Sequence, residues 1–432
     1  MEYGQGVSQK LRRPGGRTLV RPTSAASPAP PSRLPSRRRA ASASQSSLRD
    51  TNLALVAQHV FASPAPLSRA DVAAATGMTR STASRLVDAL VAAHLLTELP
   101  PAASSGPGRP AVPLVPARGT VAALGLEVNV SRMAVRAIDL SGAVLAERVV
   151  HADLAGSDPT ATLSRLADLM EQVLEAPALA RARLAGAALA LPGLVSEGTL
   201  LRAPNLGWSG VAPATRLASR LDPVGGRLLV GNEADFGALV AARTRPGAQA
   251  QTHDFIYLSG ENGIGAGLVR DGVVIHGSAG FAGEVGHVQV APDGPECGCG
   301  NRGCLERYAG RRVILTGAGL GEDASPDQLV RAWQEGREEA RASVSAAAHA
   351  LAVALSAAIN ILDIPAVVLG GHLAPLTEVL RPELEPELSR RVLASPWSPP
   401  RVLPAPSDET PGATGAAWAV LEGVVANPAE WV

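Results

Sequence analysis

Aromatic residues are scarce. The 432-residue chain holds 5 Trp, 3 Tyr and 4 Phe, although 46% of it is hydrophobic, so its cores have to be built mainly from Ala, Val and Leu. Cysteine is scarcer still: Cys297, Cys299 and Cys304 are the full set of three. Three so close together cannot make a disulfide framework, and in a reducing compartment such spacing points to metal or redox chemistry. No uninterrupted apolar run of about 18 residues occurs, so no membrane-spanning helix is expected. The opening is rich in Arg and Ser and nearly free of acids, but also rich in Pro, without the amphipathic pattern of a transit peptide or the apolar core of a signal peptide. A cytoplasmic protein is expected.

Net charge is missing too, with 39 basic against 39 acidic residues. That zero conceals a division. Residues 1–118 hold 15 basic and 5 acidic residues, and residues 119–432 hold 24 and 34. A basic N-terminal piece on an acidic remainder is the asymmetry expected when one end meets nucleic acid. At ~100 to 200 residues per domain, two or three domains are expected.

Residues 1–47, dominated by Ser, Pro, Ala, Gly and Arg, lack the apolar side chains to offset the entropy of folding and read as a disordered basic arm. A small helical domain is expected over 48–118. Leu53, Val56, Ala57 and Val60 recur at helical spacing behind a cap at Asn52. Ser68 stands three residues before Asp71 in a capping-box pattern, Gly77 closes that helix, and Thr79 caps the next. There Ser81, Ser84, Arg85 and Asp88 share one face, while Ala83, Leu86, Val87, Leu90 and Val91 share the other. Helix, glycine turn and a second helix with a short polar and basic face make a helix-turn-helix. Thr79, Arg80, Ser81, Thr82, Ser84 and Arg85 are then candidates to reach base edges and phosphates in the major groove. The stretch Ser105-Gly106-Pro107-Gly108-Arg109-Pro110, followed by alternating Val112, Leu114 and Val115, reads as a wing that displays Arg109 for a narrow minor groove.

From 119 onward strands and helices alternate. Val121–Val128, Arg132–Asp139 and Ala143–Val150 read as consecutive strands, Pro159–Leu174 as a helix, and Leu184–Leu191 and Arg227–Val230 as further strands before a helix over Glu233–Ala242. The plan recurs with strands at Phe255–Leu258, Ala266–Val269 and Val273–Ile275, a long Ala-rich helix over Ala340–Leu362 and a strand at Ala366–Leu369. Two related α/β lobes with a ligand cleft between them are expected, over 119–245 and 246–432.

His287 with Cys297, Cys299 and Cys304 supplies four ligands of the kind that close a structural zinc site. Glu284 stands three residues before that histidine, and Glu306 two after the last cysteine. Carboxylates fixed this way can accept paired hydrogen bonds from adjacent sugar hydroxyls.

The motif Glu284-Val285-Gly286-His287 with Cys-Gly-Cys-Gly-Asn-Arg-Gly-Cys-Leu-Glu at 297–306 resembles the ROK family (repressors, open reading frames, kinases), in particular its transcriptional regulators. The resemblance covers about residues 50–425. It implies an α/β body of two ribonuclease-H-like lobes in the actin-like, hexokinase-like ATPase fold, behind a winged helix-turn-helix. It also implies a sugar held by Asn205, Asn232, Glu233, Glu284, His287 and Glu306, with His287 serving sugar and zinc through its two ring nitrogens. Kinases of the family open the body with Asp-x-Gly-x-Thr and use an Asp as general base. This chain has Glu127-Val128-Asn129-Val130-Ser131, and Glu233 at the base position. Gly263-Ile264-Gly265-Ala266-Gly267 and Gly370-Gly371 are retained, which tight hairpins also require. The resulting expectation is a sugar-responsive repressor, not an enzyme, acting on operator DNA as a homodimer or dimer of dimers. An active sugar kinase with a DNA-binding head is the alternative.

Overall fold

The computed structural model describes residues 45–101, 111–261 and 263–432. Most of the expected arm and the wing tip with Arg109 lie outside the described residues. Helices α1 (Gln45–Ala62), α2 (Arg69–Thr76) and α3 (Arg80–Ala92) precede a two-stranded ribbon of β1 (Leu96–Glu98) and β2 (Leu114–Pro116). Two details differ from the expectation. Helix α1 starts at Gln45, inside the expected arm, and Asn52 lies within it instead of capping it. The helix extends upstream because Ser47, Leu48 and Arg49 carry nothing that stops it, and the buried stripe beginning at Leu53 anchors its C-terminal half. The other signals hold: Ser68 and Asp71 form the capping box, Gly77 takes the left-handed conformation (φ 70°), and Thr79 Oγ1 accepts from the Thr82 N–H.

The first lobe runs through β3 (Val121–Val128), β4 (Arg132–Asp139), β5 (Val144–His151), α4 (Pro159–Leu174) and β6 (Arg183–Leu191). A small sheet comes next, of β7 (Leu194–Ser196), β8 (Thr199–Ala203) and β9 (Trp208–Val211), and then α5 (Pro213–Leu217), β10 (Leu228–Asn232) and α6 (Glu233–Ala241). A short ribbon, β11 (Arg243–Arg245) and β12 (Ala248–Gln249), leads to the second lobe. That lobe contains β13 (Phe255–Gly260), β14 (Ile264–Arg270), β15 (Val273–Ile275), α7 (Glu306–Ala309), α8 (Arg311–Gly317), α9 (Pro326–Gln334), α10 (Glu338–Leu362), β16 (Ala366–Gly371), α11 (Thr377–Arg391) and β17 (Arg401–Pro404). The last long helix is α12 (Pro411–Ala426).

Both main sheets are built alike. The first is ordered β5-β4-β3-β6-β10 and the second β15-β14-β13-β16-β17, each an antiparallel meander of three strands extended by two parallel ones. Helix α10 is long and apolar enough to cross a bilayer by length and composition. In the structure its Ala347, Leu351, Leu355 and Ile359 sit in the core of the second lobe.

Helix α12 is buried on nearly every face, as its Ala- and Gly-rich sequence permits. It packs on β3, β6 and α6 of the first lobe. Its Trp418, Leu421, Val424 and Val425 also share one core with Leu53, Val56, Val60 and Phe61 of α1. Arg245 adds a polar clamp, donating from Nη2 to the carbonyls of Phe61 (3.0 Å) and Ser63 (2.5 Å). The helical head is therefore packed against the body.

Candidate functional site

Asn205, Asn232, Glu233, Glu284, His287 and Glu306 line one cleft between the lobes. The six are spread over about 100 residues of sequence, and the paired sheets bring them together. Asn232 caps α6: its Oδ1 accepts from the Ala234 N–H (2.7 Å), and its Nδ2 donates to the Gly193 carbonyl (2.8 Å). Each of those atoms keeps capacity for one more hydrogen bond. Glu233 opens α6 and is half-buried. Burial, reinforced by the charges of Glu127 and Glu261 and opposed by Arg132, pushes its carboxyl up to about 8. Gly263 faces Asn205 and Glu306 so closely that a Cβ there would fall 2.4 Å from Asn205 Nδ2 and 2.8 Å from Glu306 Oε2.

On the second-lobe side, Nε2 of His287 lies 3.8 Å from Glu284 Oε2, while its Nδ1 faces Cys297 Sγ at 3.8 Å and Glu306 Oε1 at 3.7 Å. Cys297 Sγ donates to Glu306 Oε1 at 2.8 Å, and Cys299 Sγ stands 3.7 Å from Cys304 Sγ. One donor atom from each of His287, Cys297, Cys299 and Cys304 lies within 4.8 Å of the rest, so the cluster could hold a metal ion. A tetrahedron with bonds of about 2.3 Å has edges of about 3.8 Å, which the His287–Cys297 and Cys299–Cys304 separations match. The loop closes on itself through Cys297 N–H to Asn301 O (2.8 Å), and at Gly303 (φ 69°) a Cβ would strike the Ala291 carbonyl.

The turn between β3 and β4 is filled from within. Glu127, 1% exposed, pairs with Arg132 Nη2 at 2.7 Å and accepts from the Ala413 N–H (2.9 Å) at the start of α12. Burial drives the Glu127 carboxyl upward, while Arg132 and that N–H act in the opposite sense. Asn129 Oδ1 accepts from the N–H groups of Ser131 (2.8 Å) and Arg132 (3.1 Å), and Asn129 Nδ2 donates to Glu127 Oε1 (3.2 Å). Arg132 then reaches across the cleft, donating from Nη1 to Glu261 Oε1 of the second lobe at 3.1 Å. Burial works against its charge, but Glu127, Glu261 and Glu233 outweigh that and raise its affinity for the proton. Neither Arg132 nor Glu261 was among the expected site residues. An Arg five positions after a carboxylate that cannot stay unpaired was the available signal for the first, and the second had none.

At the other end of the molecule, Arg80, Ser81 and Arg85 are exposed on α3, with Thr82 and Ser84 partly so, while Ala83, Leu86, Val87 and Leu90 are buried and Val91 is half-buried. Arg69 takes up the local acids, pairing with Asp88 (2.7 Å) and Glu98 (2.8 Å), which leaves the α3 face basic.

Residues 59–100 match the IclR helix-turn-helix domain. The chain is 28% identical over 344 residues to a xylose repressor of Caldicellulosiruptor bescii, covering 75% of this chain and 84% of that protein. A crystal structure of a ROK family transcriptional regulator, described as a homolog of the E. coli MLC protein, superposes with a TM-score of 0.70 at 24% identity over 88% of this chain and 98% of the other. A ROK hexokinase from Thermus thermophilus superposes at 0.55 with 27% identity over 69% of this chain and 98% of the other. The two-lobed arrangement is thus the actin-like, hexokinase-like fold, and with residues 123–422 matching the ROK family, the chain belongs to that family.

Proposed function

We propose that this protein is a DNA-binding transcriptional repressor whose two-lobed body binds a sugar without phosphorylating it. One observation carries the second half of the reading: the turn where family kinases cradle phosphate is occupied by the protein itself. The N–H groups of Ser131 and Arg132 are spent on Asn129, and the Arg132 cation on Glu127 and Glu261. A phosphate would have to displace a buried ion pair to enter. Glu233 at the base position carries one methylene more than Asp, enough to misplace a proton acceptor by about 1 Å and cost ~10²-fold in rate.

The sugar is held by Asn205, Asn232, Glu233, Glu284, His287 and Glu306. Zinc on His287, Cys297, Cys299 and Cys304 serves structure: a closed set of four protein ligands leaves no position for an activated water. Thr79, Arg80, Ser81, Thr82, Ser84 and Arg85 face operator DNA, joined by Arg109 of the wing. Two chains, as a homodimer or a dimer of dimers, read a pseudo-palindromic operator. The signal has a short physical route, since α6 begins at the sugar residues, α12 packs on α6, and α1 shares its core with α12.

Two measurements test this together. Sugar should lower operator affinity in a gel-shift titration, because coupling requires unequal ligand affinity in the two states. A coupled ADP-release assay over the same sugars should show no sugar-dependent turnover, and turnover at ordinary kinase rates overturns the reading. In the same gel-shift assay Arg85→Ala should weaken operator binding, and unchanged affinity would remove α3 from the groove.

A further inference from the structure

A second pocket, of about 500 Å³, opens where the helical head meets the body, a volume suited to a small molecule. No residue of the cleft lines it. The head supplies an apolar wall that includes Val60, Pro64, Pro66 and Leu114, and the body supplies Arg245 from β11. Arg118, in the link between β2 and β3, completes it. Its charge has one sign: among the described residues that line it, Arg118 and Arg245 are the charged ones, with no Asp or Glu. Arg245 holds the carbonyls of Phe61 (3.0 Å) and Ser63 (2.5 Å) through Nη2, its Nε is buried without a partner, and nothing among the described residues engages Nη1. Those carbonyls lie at the end of α1, and the negative end of a helix offsets only about half a unit of charge. The acids beside the pocket are engaged elsewhere. Glu98, next to the lining residue Thr97, pairs with Arg69 (2.8 Å). Asp139, two residues before the lining residue Ser141, accepts from the N–H groups of Gly119 (2.7 Å), Ser141 (2.9 Å) and Ala143 (3.0 Å).

From this we infer that the joint between head and body is a second ligand site, built for a small organic carboxylate. The two guanidinium groups take the carboxylate through charge-assisted hydrogen bonds, and the wall of proline, valine and leucine takes its apolar body. An inorganic anion would leave that wall without an occupant. The position gives the site a regulatory consequence, which rests on the repressor reading above and not on the sugar. The pocket walls belong to both sides of the joint that Arg245 clamps, so a bound carboxylate bridges Arg245 of the body to Arg118 of the link. A ligand that favours one setting of the joint favours one placement of α3, and thereby changes operator affinity.

The experiment is calorimetry and thermal shift on the full chain with butyrate, benzoate and phenylacetate, each against its neutral amide, and with inorganic phosphate. At least one carboxylate should bind, about tenfold or more tighter than its amide and than phosphate. An amide or phosphate that equals the carboxylate overturns the inference, and so does failure of every carboxylate. Arg118→Ala tests the cause without touching the Arg245 clamp. Because Arg118 is exposed, the free variant should melt within ~2 °C of the unaltered protein, while its carboxylate affinity falls at least about threefold. Arg118→Glu should abolish carboxylate binding, and an unchanged carboxylate-to-amide ratio in both variants refutes the site. In a gel-shift titration without sugar, the carboxylate that binds should change operator affinity at least about threefold. Unchanged operator affinity overturns the regulatory consequence. If no carboxylate binds and Arg118→Ala weakens the operator complex, the cations serve the DNA backbone and the inference is overturned.

Discussion

The two lobes present the same hairpin to the cleft and use it differently. In the second lobe the β13–β14 turn keeps its glycines, Gly260, Gly263 and Gly265, and each faces protein: His372 and Leu373, Asn205 and Glu306, and Ala234. In the first lobe the β3–β4 turn carries Asn129 and Val130, and the Asn129 side chain satisfies the turn from inside. A glycine-rich turn is thus no evidence of a phosphate site when its missing side chains make room for packing. The first-lobe turn also joins elements: its Glu127 caps α12 and its Arg132 ties the first lobe to the second. The lobes differ likewise in how they hold the polar residues of the cleft. The first lobe uses a helix cap and ion pairs, and the second uses a histidine-cysteine cluster.

The largest effect is expected for Arg132→Ala, which strands Glu127 at 1% exposure. Removing one partner of a buried pair costs about 3 to 5 kcal/mol, which urea unfolding would record, and a loss below ~1 kcal/mol would mean the pair is relaxed by water. On the other lobe, Cys299→Ser should reduce bound zinc from about one ion per chain and weaken sugar binding together with it. Metal analysis finding no zinc in the unaltered protein would remove the cluster as the second lobe's anchor. Asn129→Gly returns the first turn towards the kinase pattern. It forfeits the acceptor of two N–H groups and should destabilise by about 1 to 2 kcal/mol without creating ADP release; restored turnover would show that this side chain alone blocks the chemistry. The smallest effect is a pH slope. Glu233 titrates near about 8 in the fold against an ordinary 4.5, so between those values the native state holds more protons than the unfolded chain. Stability should therefore fall as pH rises through that window. The slope should flatten in Glu233→Gln, and identical slopes would place the titration elsewhere.

Much was legible locally. The Ser68–Asp71 box, the Gly77 stop, the Thr79 cap and the strands Val121–Val128 and Arg132–Asp139 depend on neighbours a few residues apart, and sequence displays such neighbours. Helix α12 escaped because a helix apolar on nearly every face has no amphipathic period to read. Helix α11 carries Pro382 and Pro386 inside it, against the local rule that proline ends a helix. The strands β7 (Leu194–Ser196), β8 (Thr199–Ala203) and β9 (Trp208–Val211) show no apolar–polar alternation to read.

Composition, period and spacing set the kind of molecule: a basic head, two lobes on one plan, a four-ligand cluster and the acids beside it. What the charges do depends on the fold. Arg132 meets a glutamate 129 positions away, and α12 returns from the far end of the chain to accept Glu127 at its N-terminus and to share a core with α1. An ion pair acts over a few ångströms of space, and distance along the chain says nothing about that separation until the sheets have set it.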